Sequence, residues 1–222
     1  MVSNSPVTSV HTSSDQSMRV TECESDIPDQ YFDLVQHTSY VSCDIETSGL
    51  NWRTDIIGTC QIYIPNTTIL VIKISGTPPK LISMLQDSSI CKIFHHAMFD
   101  LRFMSYQWQV TAQNIACTKI ASKLLDVNRE NGHTLQSLLK EHLNVTLQKS
   151  RELQRSNWVS ENLSQRQVFY AAADVVYLAA LLDVLHQKLA TKSLLPLAYS
   201  CYQHIPTQVL LDVFGYSGIY DY

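Results

Sequence analysis

A chain of 222 residues, 45% hydrophobic and 16% charged, has the composition of a globular protein long enough to bury a full core. Its net charge of −4 argues against a protein that grips nucleic acid along many phosphates, because that affinity comes from Lys and Arg displacing counterions. No membrane span is expected, since even the apolar segment from Phe169 to Leu189 carries Asp174, Asp183, His186 and Lys188.

In chain order, residues 1–18 are rich in Ser, Thr and Asn without an apolar centre and read as a disordered tail. Residues 19–222 read as a single domain. YVSCDIE, from Tyr40 to Glu46, has strand character and runs into a turn at Gly49 and Asn51. The β-branched runs Asp55 to Ile64 and Thr68 to Ile74 are split by Pro65 and Asn66, so the three strands form an antiparallel meander. Helical periodicity follows over PKLISMLQD, then a short strand from Ile90 to Phe94, a helix starting after His96, and a second short apolar run, NIACT. Helices are expected thereafter: Lys119 to Leu125, His133 to Leu143, and a longest one from the N-cap Ser164 to about Ala190. Pro196 and Pro206 are expected to break the remainder into short helices. Strands first, then alternation, then helices alone describe an α/β fold with a mixed sheet and a helical C-terminal part.

Cys23, Cys43, Cys60, Cys91, Cys117 and Cys201 occur singly, with no Cys-x-x-Cys pair. They read as buried free thiols, and a reducing cytoplasm is the expected location. Eight histidines lack any His-Glu-x-x-His spacing, which argues against a zinc hydrolase. The segment from Lys119 to Arg166 is locally basic within an acidic chain, and reads either as a solvated helical face or as a surface for a phosphate backbone.

Three acidic features carry the chemistry. Asp44 and Glu46 lie two apart at a strand end and therefore project from one face. So short a pattern also arises by chance at a strand end reaching solvent. Asp100 falls one turn into a helix, where the macrodipole tolerates an acid, yet Phe94, Phe99, Leu101, Phe103 and Met104 surround it in sequence. Tyr170 and Asp174 are four apart on a helix, with three alanines between them that leave room for a bulky neighbour; a buried Tyr bonded to its own helix would look the same. Together they offer four carboxylates and a phenol. Oxygen-only ligands select hard cations such as Mg²⁺ or Mn²⁺, and a pair of such ions serves phosphodiester hydrolysis.

On these motifs, DIETSGL (Asp44 to Leu50), HHAMFDLRF (His95 to Phe103) and YAAADVVYL (Tyr170 to Leu178), the chain resembles the DnaQ-like 3′-5′ exonucleases with four acidic residues, in their ribonuclease D branch. The Tyr-x-x-x-Asp form of the third motif, with Phe169 where the other branch has histidine, is that of the tyrosine branch. Likeness extends to CTKIASKLL, HTLQSLL, SNW and CYQHIPTQVLLDVFGY, from about Met18 onward, and is to the short bacterial form made of the exonuclease domain alone. The resemblance implies a ribonuclease H-like mixed sheet flanked by helices. It implies two divalent ions, Mg²⁺ or Mn²⁺, held by Asp44, Glu46, Asp100 and Asp174, with the Tyr170 hydroxyl orienting the attacking water. The implied partner is the single-stranded 3′ end of RNA, or of DNA. Thr47 would meet the 3′-hydroxyl and Leu50 wedge beside the terminal base. His96, where many of the family have Asn, and Phe99 would line the same place. Lys149, Arg151, Arg155, Ser156 and Trp158 fall in the substrate loop, though Trp158 also reads as core. Two other functions remain compatible with the sequence: a DNA repair or proofreading exonuclease, and an inactive exonuclease fold used as a binding scaffold.

Overall fold

The β-branched runs of the N-terminal half build one seven-stranded sheet in the computed structural model, which describes residues 7–11, 17–148, 150–216 and 218–221. The strands are β1 (Val7–His11), β2 (Ser17–Glu24), β3 (Tyr40–Thr47), β4 (Ile57–Ile64), β5 (Thr68–Lys73), β6 (Cys91–Phe94) and β7 (Ile115–Cys117). Their spatial order is β1-β2-β5-β4-β3-β6-β7. β3, β4 and β5 form the expected antiparallel meander, while β2 on β5, β6 on β3 and β7 on β6 are parallel. The mixed α/β sheet expected from the sequence is borne out.

Around it lie α1 (Asp29–Gln36), α2 (Pro79–Gln86), α3 (Ala97–Trp108), α4 (Thr118–Leu125), α5 (Leu135–Leu143), α6 (Arg151–Gln154), α7 (Gln165–Val175), α8 (Leu178–Thr191) and α9 (Leu195–Val213). Strand alternation divides the core in two. Leu70 and Ile72 of β5 join the main core, and Ile69 and Val71 face the other way, onto Val168, Ala172 and Val175 of α7. On β3, Val41, Cys43 and Ile45 belong to the main core. The same alternation therefore turns Asp44 and Glu46 to the face that α7 covers.

Several sequence expectations are corrected. The expected tail is not disordered throughout: Val7–His11 pairs antiparallel with Ser17–Thr21, while residues 1–6 and 12–16 lie outside the described residues. The helix starting at Ser164 begins as expected, with a capping box between Ser164 and Gln167, but it ends at Val175. Neither Gly nor Pro marks that end. The break carries the chain from α7, packed on the second core, to α8, whose Leu178, Leu181, Leu182, Leu185 and Leu189 fill the main one. Pro206 does not end α9. It cannot donate to the Tyr202 carbonyl, yet the stripe Ala198, Tyr202, Ile205, Val209 and Asp212 is buried along the whole helix, and that packing overrides the missing bond. Gln165–Thr191 is, against expectation, long and apolar enough by composition to cross a membrane, with mean hydropathy 1.9; 56% of that window is buried inside the fold, as in a core helix pair.

Candidate metal and catalytic site

Asp44 and Glu46 project from β3 at the middle of the sheet, and Asp174 from α7 meets them. One carboxylate oxygen from each lies within 4.8 Å of the other two. Asp174 is buried and the two strand residues are half-buried. The close approach of helix to strand follows from Ala171 and Ala172, both fully buried, which let the α7 backbone settle on the sheet. A register shift between Glu46 and Thr47 bends β3 where it leaves the sheet, a device common beside functional sites.

Asp100 arrives from α3 and is 2% exposed. It stands outside the group of three, with its Oδ1 accepting the Ile45 backbone N–H at 3.2 Å, between the two strand acids in sequence. Burial pushes the Asp100 carboxyl up to about 7, opposed by backbone hydrogen bonds from Asp100 and Ile45 and by nearby Lys119. Desolvation, with Lys119, Arg102 and Lys123 close by, holds the exposed His96 imidazole down at about 4. His95 is placed by the fold: its Nδ1 lies 2.8 Å from Thr118 Oγ1 and its Nε2 3.0 Å from the His133 carbonyl.

Tyr170, 7% exposed, lies on the α7 face that carries Asp174, and its ring packs 5.9 Å from that of Trp158. Trp158 is 1% exposed. Its ring packs against Tyr170 within the core. Gly58 on β4 makes this possible, because a Cβ there would run into the Trp158 backbone carbonyl. Ser156 also holds the loop, donating to the Leu153 carbonyl at 2.8 Å and accepting from Gln167 Nε2 at 3.0 Å.

The other expected substrate residues differ in exposure. Leu50 is 83% exposed on the loop after β3. Thr47 is half-buried and donates to the Gly49 carbonyl at 2.5 Å. Phe99 is half-buried between His96 and Phe103, with ring centroids 6.1 and 5.1 Å apart. Arg151 and Arg155 are exposed on and just after α6, and Lys149 lies outside the described residues. Sequence reading missed a cleft of about 760 Å³ beside Tyr170, walled by Arg166, Phe169 and Tyr177 of the α7 region and by the 144–148 segment. The i, i+3 spacing of Arg166 and Phe169, with Ala173 one turn on, was its only trace in the sequence.

Three carboxylates at this separation, with a fourth adjoining, would repel one another without a cation, so the donor set fits hard divalent ions. The fold and the site define an α/β protein with a cluster of carboxylates able to hold a hard metal ion. Residues 20–190 match the family described as 3′-5′ exonuclease. The chain belongs to that family, in its ribonuclease D-like group. It is 28% identical over 158 residues to Ribonuclease D of Haemophilus influenzae, covering 71% of this chain and 39% of that protein, so it spans well under half of that relative's length. Brucella melitensis NrnC is 36% identical, with TM-score 0.81 over 89% of this chain and 95% of that one. Structures of that NrnC bound to pGG and with bound Mg²⁺ are similar to the same extent, with TM-scores of 0.81 and 0.80. Escherichia coli RNase D, described as an exoribonuclease involved in structured RNA processing, shares the fold at 22% identity and TM-score 0.74, covering 86% of this chain and 51% of that one.

Proposed function

We propose that this chain hydrolyses phosphodiester bonds one at a time from the 3′ end of RNA, releasing nucleoside 5′-monophosphates, and that residues 19–222 act as one exonuclease unit. The observation that carries the reading is the convergence of Asp44, Glu46 and Asp174 within 4.8 Å on a fold of the 3′-5′ exonuclease family. A pair of Mg²⁺ or Mn²⁺ ions, when bound, supplies charge neutralisation at the phosphate and an acidified water. Asp44, Glu46 and Asp174, with Asp100 adjoining, would hold them. The Tyr170 hydroxyl, kept in place by Trp158, orients the attacking water along the line of displacement. Leu50 stacks beside the terminal base, Thr47 accepts from the 3′-hydroxyl, and His96 and Phe99 border the same nucleotide. Arg151 and Arg155, with Lys149, meet phosphates further along the strand. The Mg²⁺-bound and pGG-bound structures of NrnC, a relative covered almost end to end, support a divalent metal and a short RNA end as ligands. Six free cysteines accord with a reducing, cytoplasmic setting.

The test is nucleotide release from matched single-stranded RNA, single-stranded DNA and pGG with Mg²⁺ or Mn²⁺. Asp44→Ala and Asp174→Ala should each lower the rate by about a thousandfold or more, the scale of losing several kcal/mol of transition-state charge stabilisation, with the thermal transition retained. Activity surviving either change refutes the assignment, and hydrolysis of DNA alone would replace the RNA reading with that of a DNA exonuclease. Wild-type binding of RNA without hydrolysis under either metal would leave only the scaffold.

A further inference from the structure

The loop between β3 and β4 carries the exposed Leu50, yet little else about it is loose. Its base is closed by Ser48 N–H donating to the Ile56 carbonyl at 2.9 Å and Ile56 N–H donating to Ser48 Oγ at 3.0 Å. Inside, the Asp55 carboxylate accepts the Asn51 N–H at 2.7 Å, in space that a Cβ on Gly49 would take at 2.5 Å. The loop is also docked on two helices. Gln107 at the end of α3 accepts from Ile57 N–H at 3.2 Å and donates to the Asp55 carbonyl at 3.0 Å. The Trp52 ring stands edge-on to Tyr106 of α3, 5.3 Å between centroids. Arg53 lies 4.0 Å over the Trp52 ring and reaches α9, where its Nη2 donates to the Asp212 carbonyl at 3.3 Å.

Asp212 is itself held. It is 8% exposed, and its Oδ2 takes both Arg102 Nε at 2.6 Å and Arg102 Nη2 at 2.5 Å, while Oδ1 accepts from Gln208 at 3.0 Å. Arg102 lies two residues beyond Asp100 on α3. Asp212, near the end of the last helix, thus holds the helix that bears Asp100 through its carboxylate and the loop that bears Leu50 through its backbone carbonyl.

We propose that Arg53 and Asp212 are positioning residues for the terminal nucleotide: they clamp the 48–56 loop to α3 and α9 and so fix where Leu50 stands beside the carboxylates. This rests on the exonuclease reading for its kinetic arm alone. A guanidinium suits the clamp because its delocalised fork can sit over the Trp52 ring and still donate to a carbonyl beyond it, which a compact ammonium does less well. Loss of the clamp lets the loop open locally, which weakens capture of the 3′ end and leaves the metal ligands untouched.

The experiment measures backbone hydrogen exchange at Asn51, Asp55 and Ile56, together with kinetics of nucleotide release, in the full chain. In Arg53→Met these amides should exchange about fivefold faster or more, the scale of one lost hydrogen bond to a charged partner, and in Asp212→Ala, which keeps the carbonyl but frees this end of α9 from Arg102, by a smaller factor. In Arg53→Met, KM should rise by a similar factor with kcat and the Mg²⁺ titration unchanged. Arg53→Lys should not restore KM, since charge without the flat fork does not rebuild the clamp. Unchanged exchange, or full rescue of KM by Lys, overturns the proposal. A wild type that hydrolyses nothing removes the exonuclease reading and leaves the exchange arm to decide the clamp.

Discussion

Asp44, Glu46 and Asp174 stand on a strand and a helix that are themselves part of the core, whereas Arg151 and Arg155 stand exposed on a four-residue helix and its cap. The first group has little freedom: β3 is paired on both sides and α7 is sealed onto the sheet by alanines. The second is carried by a connection that is fastened chiefly through Trp158, Ser156 and Gln167. In the proposed function, the chemistry that needs sub-ångström placement would fall to core residues, and contact with a flexible polyanion to side chains free to follow it.

The link between the two regions is where the contrast breaks first. Trp158→Ala empties a fully buried site between β4 and α7 and should destabilise the fold by about 3–5 kcal/mol, read as a lowered denaturation midpoint, with Tyr170 losing its support. A loss under 1 kcal/mol would mean that the connection is not fastened there. Next in size, Tyr170→Phe keeps the ring and its packing but removes the hydroxyl. A drop in kcat of about a hundredfold with equal Mg²⁺ affinity in titration calorimetry is expected, and a matching loss of metal affinity would turn the tyrosine into a ligand-holding residue instead.

Two smaller effects sharpen the difference between core and surface charge. Lys92 on β6 is fully buried, its Nζ donating to the Asp87 carbonyl at 2.6 Å, and burial pulls its ammonium down to about 8 despite nearby Cys43, Cys91 and Asp87. A folded-state value below the unfolded one means that the unfolded chain binds more protons in between. Stability should therefore rise as pH climbs from about 8 towards 10.5, and Lys92→Met should flatten that rise in denaturant titrations. Arg151→Gln and Arg155→Gln, by contrast, should leave stability unchanged, raise KM only a few-fold each, and reduce the salt dependence of binding by roughly one ion apiece.

Much of this was legible in the residues. The Asp-x-Glu on an alternating strand and the Tyr-x-x-x-Asp across three alanines fix relative directions locally, so their convergence needed only a sheet and a helix to pack. The meander of β3, β4 and β5 was equally plain from its β-branched runs. What escaped were outcomes decided by distant partners: β2 joining β5 in parallel, α9 running through Pro206 because its buried stripe holds it, and α7 parting from α8 where the chain changes core. Trp158 was ambiguous for the same reason. Its seat depends on the space that Gly58, distant in sequence, leaves for its backbone.

The central claim is that the carboxylates of β3, α3 and α7 form one centre for divalent ions. Calorimetric titration of the metal-free protein with Mn²⁺ at fixed pH tests it directly, on wild type, Asp44→Asn and Asp174→Asn. Two ions per chain in the wild type and none bound at the same concentrations in either variant is the expected result. Undiminished binding in both would place the metal elsewhere and contradict the account.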